Sequence, residues 1–144
     1  MATTKIKASG PTGIEVKEGY KETKLGWIPE EWDETVLMAL CSDLSYGLTT
    51  RPQYEEDGIP LISAREIRSG IIDFNTAPRI SEESYNRLSN KAKPETGDIF
   101  LSKTGTIGLV ALYSGEIKIA ITQNIAFVRT VDGNIDKSYL LQYF

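Results

Sequence analysis

Between Gly97 and Thr130 the chain alternates short apolar runs with short polar breaks: GDIFLSKTGTIGLVALYSGEIKIAITQNIAFVRT. Brief β-prone runs bounded by Gly, Ser, Asp and Asn read as strands. The pattern predicts strands at Asp98–Leu101, Ile107–Tyr113 and Ile125–Val128, with a weaker alternation over Ile117–Ile121. Ser102–Thr106 and Thr122–Asn124 fall between the runs. If the strands form a core, these polar tips lie on exposed loops, where binding residues concentrate.

The earlier chain is less regular. Met1–Gly19 is polar and without periodicity, and reads as a flexible arm. Tyr20–Trp32 (YKETKLGWIPEEW) carries aromatics that are unfavourable in water, and reads as an extended strap. Glu34–Leu44 holds an apolar cluster compatible with a strand leading into a short helix. Ser45–Gly58 is polar and turn-rich, as in a long surface loop. Ile59–Ile62 reads as a short buried strand, Ser63–Arg68 as one helical turn capped by Ser63, and Ile71–Phe74 as another strand. Ser81–Lys93 (SEESYNRLSNKAK) predicts a helix, with Ser81 as cap, acids in the first turn, Tyr85 and Leu88 on one face, and Pro94 as stop. A final helix, Lys137–Phe144, follows Asp136 as cap. At 144 residues one domain is the expectation, spanning residues 20–144 after an arm of residues 1–19 and breaking off before or within a longer helix.

Composition removes several classes of function. The chain has no His and one Cys. His-based triads, His metal ligation and zinc sites are therefore not expected. Cys41, amid Leu37-Met38-Ala39-Leu40, reads as a buried structural thiol. No apolar run reaches membrane-spanning length and no secretory core opens the chain, so a cytoplasmic protein without membrane contact is expected. The net charge of −4 runs against the basic footprint of a free-standing nucleic-acid binder. The acids concentrate between Tyr20 and Pro60, whereas from Leu61 onward Arg65, Arg68, Arg79, Arg87, Lys91, Lys93 and Lys103 nearly balance the acids.

Candidate chemistry is sparse. In Lys103-Thr104-Gly105-Thr106-Ile107-Gly108 the Lys precedes the glycines, the reverse of a phosphate-loop motif. Either the glycines only permit a tight turn, or that turn presents Lys103 and hydroxyls to a phosphate backbone. Asp98 to Lys103 lacks the second carboxylate of a nuclease core, because Leu101 stands in its place. No Gly-rich fingerprint marks a dinucleotide or methyl-donor site, so no cofactor is expected. Gln123-Asn124 either satisfy turn backbone groups or supply a flat amide that grips adenine. Arg65 and Arg68 are either ordinary surface charge or contacts to guanine or phosphate. The candidate DNA-binding residues are Thr49, Thr50, Arg51, Ser63, Arg65, Lys103, Thr104 and Gln123, which occupy the polar interruptions.

The ordered set LGWIPEEW, GIPLISAREIRSG, ISEESYNRL, GDIFLSKTGTIGLVALY, ITQNIAFVR and YLLQYF resembles the target recognition domain of type I restriction-modification specificity subunits. The resemblance covers nearly everything after Tyr20. It implies an α+β, mostly β globule that reads one half of a split double-stranded DNA target and carries no catalytic residues. It also implies DNA methyltransferase subunits and a restriction subunit as partners, with a homodimer or a second recognition domain completing the reader. Leu61 stands where many members carry Trp. The alternative reading is a protein-interaction module that docks other subunits through its acidic half and final helix.

Overall fold

The computed structural model describes residues 17–90, 93–131, 133 and 135–144, which pack as two compact units divided between Val36 and Leu37. In the first unit, β1 (Tyr20–Thr23) and β2 (Gly26–Pro29) form an antiparallel hairpin with Thr23 opposite Gly26. The expected extended strap is folded back on itself. Gly26 has φ +107°, a backbone state that suits glycine. The Thr23 hydroxyl donates to the Gly26 carbonyl at 2.9 Å and accepts the Leu25 N–H at 3.1 Å, which closes the turn.

The second unit opens with a 3-10 turn, Leu37–Leu40, that leads into β3 (Cys41–Tyr46). It continues through β4 (Tyr54–Ile62), a 3-10 turn at Ala64–Glu66, β5 (Ile67–Arg68), β6 (Ile71–Ile72), β7 (Arg79–Ile80) and α1 (Glu82–Asn86). After α1 come β8 (Ile99–Ser102), β9 (Val110–Leu112), β10 (Ala120–Ile121), β11 (Ile125–Thr130) and α2 (Lys137–Tyr143). One sheet has the order β10-β4-β7, a second β3-β11-β8-β9, and β5-β6 is a small hairpin. Only the β10–β4 pair is parallel within these sheets.

Period-two alternation layers the unit, because successive strand side chains face opposite ways. Ile62 and Ile121 of the first sheet meet Phe100, Ile125 and Phe127 of the second in a shared core that Ile67 and Ile72 also join. Their strand neighbours face outward. Ile59, Leu61 and Ala120 pack on Tyr85 and Leu88 around α1. Ile99 and Val128 pack on Leu140 of α2. Strands β8, β10 and β11 and the Ile59–Ile62 end of β4 are thus covered on two faces, which accounts for their apolar runs, whereas the edge strand β3 alternates. This mostly β, α+β architecture is the fold class expected from the sequence.

Several local expectations are corrected. In the Glu34–Leu44 cluster the helical turn comes first and the strand second. The loop expected over Ser45–Gly58 is shorter, because β3 extends to Tyr46 and β4 begins at Tyr54. Alpha helix α1 ends at Asn86, well before Pro94, since Ser89 and Asn90 lie outside the apolar face that Tyr85 and Leu88 bury. Ile107 lies outside β9 and is 75% exposed. Cys41 is half-buried, and its thiol donates to the Leu37 carbonyl at 3.2 Å. The expected N-terminal arm lies outside the described residues up to residue 16. Among the described residues no helix is long and apolar enough to cross a membrane.

Candidate functional site

Strand direction gathers one rim. Parallel β4 and β10 both end at it, with Ile62 beside Ile121. Antiparallel β3 and β8 also end there, because Tyr46 opposes Ala126 and Ser102 opposes Ile125 at the start of β11. Four strand ends and one strand start therefore meet around the turn Thr122-Gln123-Asn124.

Backbone hydrogen bonds fix the meeting. Thr122 N–H donates to Ile62 O at 2.9 Å, Leu48 N–H to Ile121 O at 2.8 Å, and Gln123 N–H to Leu48 O at 3.0 Å. Lys103 N–H donates to Asn124 O at 2.9 Å, and Gly47 N–H to Ile125 O at 3.3 Å. Gly47 is required here: a Cβ on it would stand 1.9 Å from the Ile121 carbonyl oxygen.

Of the sequence candidates, Thr49, Ser63, Lys103 and Gln123 each adjoin one of these bonds. Thr49, Lys103 and Gln123 are exposed. Ser63 is half-buried and serves the fold as a cap. Its hydroxyl donates to Glu66 Oε2 at 2.7 Å and accepts the Arg65 N–H at 3.3 Å, while Ser63 N–H donates to the same Glu66 oxygen at 2.8 Å. That capping box leaves Arg65 exposed on the turn just past the rim. Thr104 follows Lys103 onto the exposed β8–β9 loop. Thr50 and Arg51 leave the rim on the segment that runs to α1, where Gln53 N–H donates to Ser84 Oγ at 3.0 Å and Ser81 N–H to Gln53 O at 2.9 Å.

The rim carries positive charge on an acidic chain. Among the described residues the Arg65 guanidinium just past the rim, and that of Arg51 on the segment leaving it, have no ion-pair partner, and Lys103 Nζ lies 4.6 Å over the Tyr46 ring. Glu66 is buried within its capping box. The acids Glu55, Glu56 and Asp57 lie in a wide bulge of β4, between Tyr54 and Ile59, which both oppose Ile80. From Gly58 to Ile62 the strand carries the rim about 13 Å away from that bulge. A groove of about 400 Å³ opens beside the rim, lined in part by Tyr46, Leu48, Thr49 and Thr50 on one side and Arg87 and Leu88 on the other.

In two residues of the polar tips expected on exposed loops the hydroxyl is buried instead. Ser102 is fully buried, donates to Thr106 O at 2.6 Å and accepts the Leu109 N–H at 2.8 Å, so it clamps the β8–β9 loop. Its place at the end of an apolar run was the available signal. The Thr122 hydroxyl is buried with no hydrogen-bond partner among the described residues.

A charge cluster at the start of β8, the end away from the rim, serves the fold. Arg129 grips the fully buried Asp98 through two bonds of 2.8 Å, reaches Glu95 at 2.9 Å, and is held above its ordinary pKa chiefly by the Asp98 hydrogen bond, against the opposing effect of burial. Among the described residues no group of three or more His, Cys, Asp or Glu is placed to hold a metal ion.

The chain is 30% identical over 102 residues to the type I restriction enzyme EcoBI specificity subunit of Escherichia coli, a match covering 69% of this chain and 21% of that one. It is 26% identical over 129 residues to a Methanocaldococcus jannaschii chain named as the type I restriction enzyme MjaX specificity subunit, covering 87% of this chain and 30% of that one. The fold matches the crystal structure of the HsdS subunit from Thermoanaerobacter tengcongensis at a TM-score of 0.57 and 16% identity, over 92% of this chain and 28% of that one. It also matches a chain from a structure of complex assembly and conformational transition in the type I R-M system, at a TM-score of 0.55 and 17% identity, over 93% of this chain and 29% of that one. No protein-family model matches the chain. The chain spans under a third of the length of each of these four relatives.

Proposed function

We propose that this relative of type I restriction enzyme specificity subunits is a target recognition domain that reads one half of a split duplex DNA site. The observation that supports it best is the rim itself. Four strand ends bring an exposed Lys, an exposed Arg, a flat amide and hydroxyls to one edge of a rigid double-sheet unit. Lys103 suits a phosphate, and Arg65 and Gln123 suit guanine and adenine edges in the major groove. Thr49, Thr50, Arg51, Ser63 and Thr104 complete the set, with Ser63 acting through the cap that positions Arg65. The domain performs no catalysis, and methylation and cleavage reside in methyltransferase and restriction subunits that assemble with it in the cytoplasm.

A second surface supports assembly. Tyr139 and Tyr143 lie one turn apart on α2 and are 64% and 74% exposed, while Leu140 on the same helix is buried. Such a pair suits a partner subunit or a continuing helix. A salt titration of duplex binding by the assembled complex separates DNA recognition from pure protein docking. Phosphate contacts give a log K that falls linearly with log salt. A protein adaptor adds no salt-dependent duplex binding when it joins its partners, and that result would reject the reading.

A further inference from the structure

The β8–β9 loop holds an aliphatic side chain where folding gives no reason for one. Lys103 to Gly108 are all exposed, and Ile107 is 75% exposed. The loop is not slack. The buried Ser102 hydroxyl ties Thr106 to Leu109, Gly108 N–H donates to Ser102 O at 3.1 Å, and Lys103 is bonded to the rim turn through Asn124. Gly105 and Gly108 have φ of +82° and +84°, left-handed states that hold the tip in its bend. A Cβ built on either would meet nothing within 4 Å, so open space surrounds the tip.

We infer that Ile107 is a specificity-determining residue whose side chain packs on the 5-methyl group of a thymine in the major groove. The inference rests on the reading of the rim as the DNA face. That methyl is the one apolar group that the base edges present in the major groove. β8 and β9 are held in their sheet, so what reaches past the rim is the exposed loop between them. It begins at Lys103 on the rim, and its glycines add no side-chain bulk against close approach. An Ile held rigidly in water gains contact only when an apolar group meets it.

The test uses the complex assembled with methyltransferase subunits, on a duplex selected by it from a random pool. Each thymine of the half-site is replaced in turn by deoxyuridine, which removes only the methyl group. Binding is measured for the wild type, Ile107→Ala and the conservative Ile107→Val. One replacement is expected to weaken wild-type binding about fourfold, as the loss of one buried methyl implies. Ile107→Ala should show no further loss from that replacement, and Ile107→Val should retain most of it. Equal sensitivity of wild type and Ile107→Ala to every replacement overturns the inference. So does insensitivity of the wild type, a half-site without thymine, or a loss in Ile107→Ala that is the same on all duplexes. If the wild-type complex selects no sequence, the DNA reading of the rim fails first, a result distinct from those.

Discussion

The Gln123 backbone N–H donates to the Leu48 carbonyl at 3.0 Å, while Leu48 N–H donates to Ile121 at 2.8 Å. This exchange closes the turn after β10 against the segment after β3, and so binds the ends of the two sheets together. Gln123 and Thr49 owe their shared edge to it.

Gly47 makes that closure possible. Gly47→Ala places a methyl against the Ile121 carbonyl and should destabilise the fold by about 1–3 kcal/mol, as overpacking does. Urea unfolding measures it. An unchanged midpoint would mean that the two segments can separate at no expense.

Lys103→Ala should weaken binding to all duplexes alike and lower the salt slope by about one unit. Salt titrations on cognate and random duplexes check both. A loss confined to the cognate site would assign Lys103 to base reading.

Gln123→Ala and Arg65→Ala should each cost about 1–3 kcal/mol on the cognate site and little on random DNA. Competition binding with the two duplexes decides the matter. Equal losses on both would show that neither residue reads sequence.

Asp98→Ala strips the buried, two-bond partner from a largely buried guanidinium and leaves it the exposed Glu95 as ion-pair partner. A loss of about 3 kcal/mol is expected, at the low end for breaking a buried pair because Glu95 still offsets part of the charge. The folded fraction should bind DNA as before, since Asp98 precedes the first residue of β8 whereas the rim lies at Ser102, the strand's other end. Denaturation and binding on the same variant separate the two effects.

Burial holds the Cys41 thiol above its ordinary pKa. The thiolate fraction at any mildly alkaline pH is therefore smaller than for a free cysteine, and its rise with pH is displaced upward. Alkylation rates across that range should lag behind those of a model thiol and converge with them on denaturation. A rate equal to the model thiol in the native protein would contradict this.

The strands of the C-terminal half were legible because β8, β10 and β11 are buried on two faces and their runs are apolar. Ile59–Ile62, Ile125–Val128 and the Ser63 cap follow from local chemistry alone. The fate of Ile107 did not, because an apolar residue between two glycines looks the same whether a strand or a loop tip takes it. The short α1 was hidden for a related reason: helix-forming residues after Asn86 have no apolar stripe to hold them down. Rim membership depends on which strands pair, and for Thr49 and Gln123 that is a long-range fact. Strand pairing sets the rim, whereas the Arg129–Asp98 pair needed coordinates before its partners could be named.

With a net charge of −4, the chain alone lacks long-range attraction for a duplex. Weak binding is expected without methyltransferase subunits and a second half-site reader that raises effective concentration. Nanomolar, sequence-selective binding by the isolated chain at physiological salt would overturn this expectation.

The central claim, a rim that reads a DNA half-site, is tested most directly by selecting bound duplexes from a random pool with the assembled complex. The selection is then repeated with Gln123 and Arg65 both replaced by Ala. The account expects the wild type to enrich one short half-site and the variant to enrich the same half-site with its constraint lost at defined positions. A pool left without any motif, or a motif unchanged by the substitutions, would contradict it.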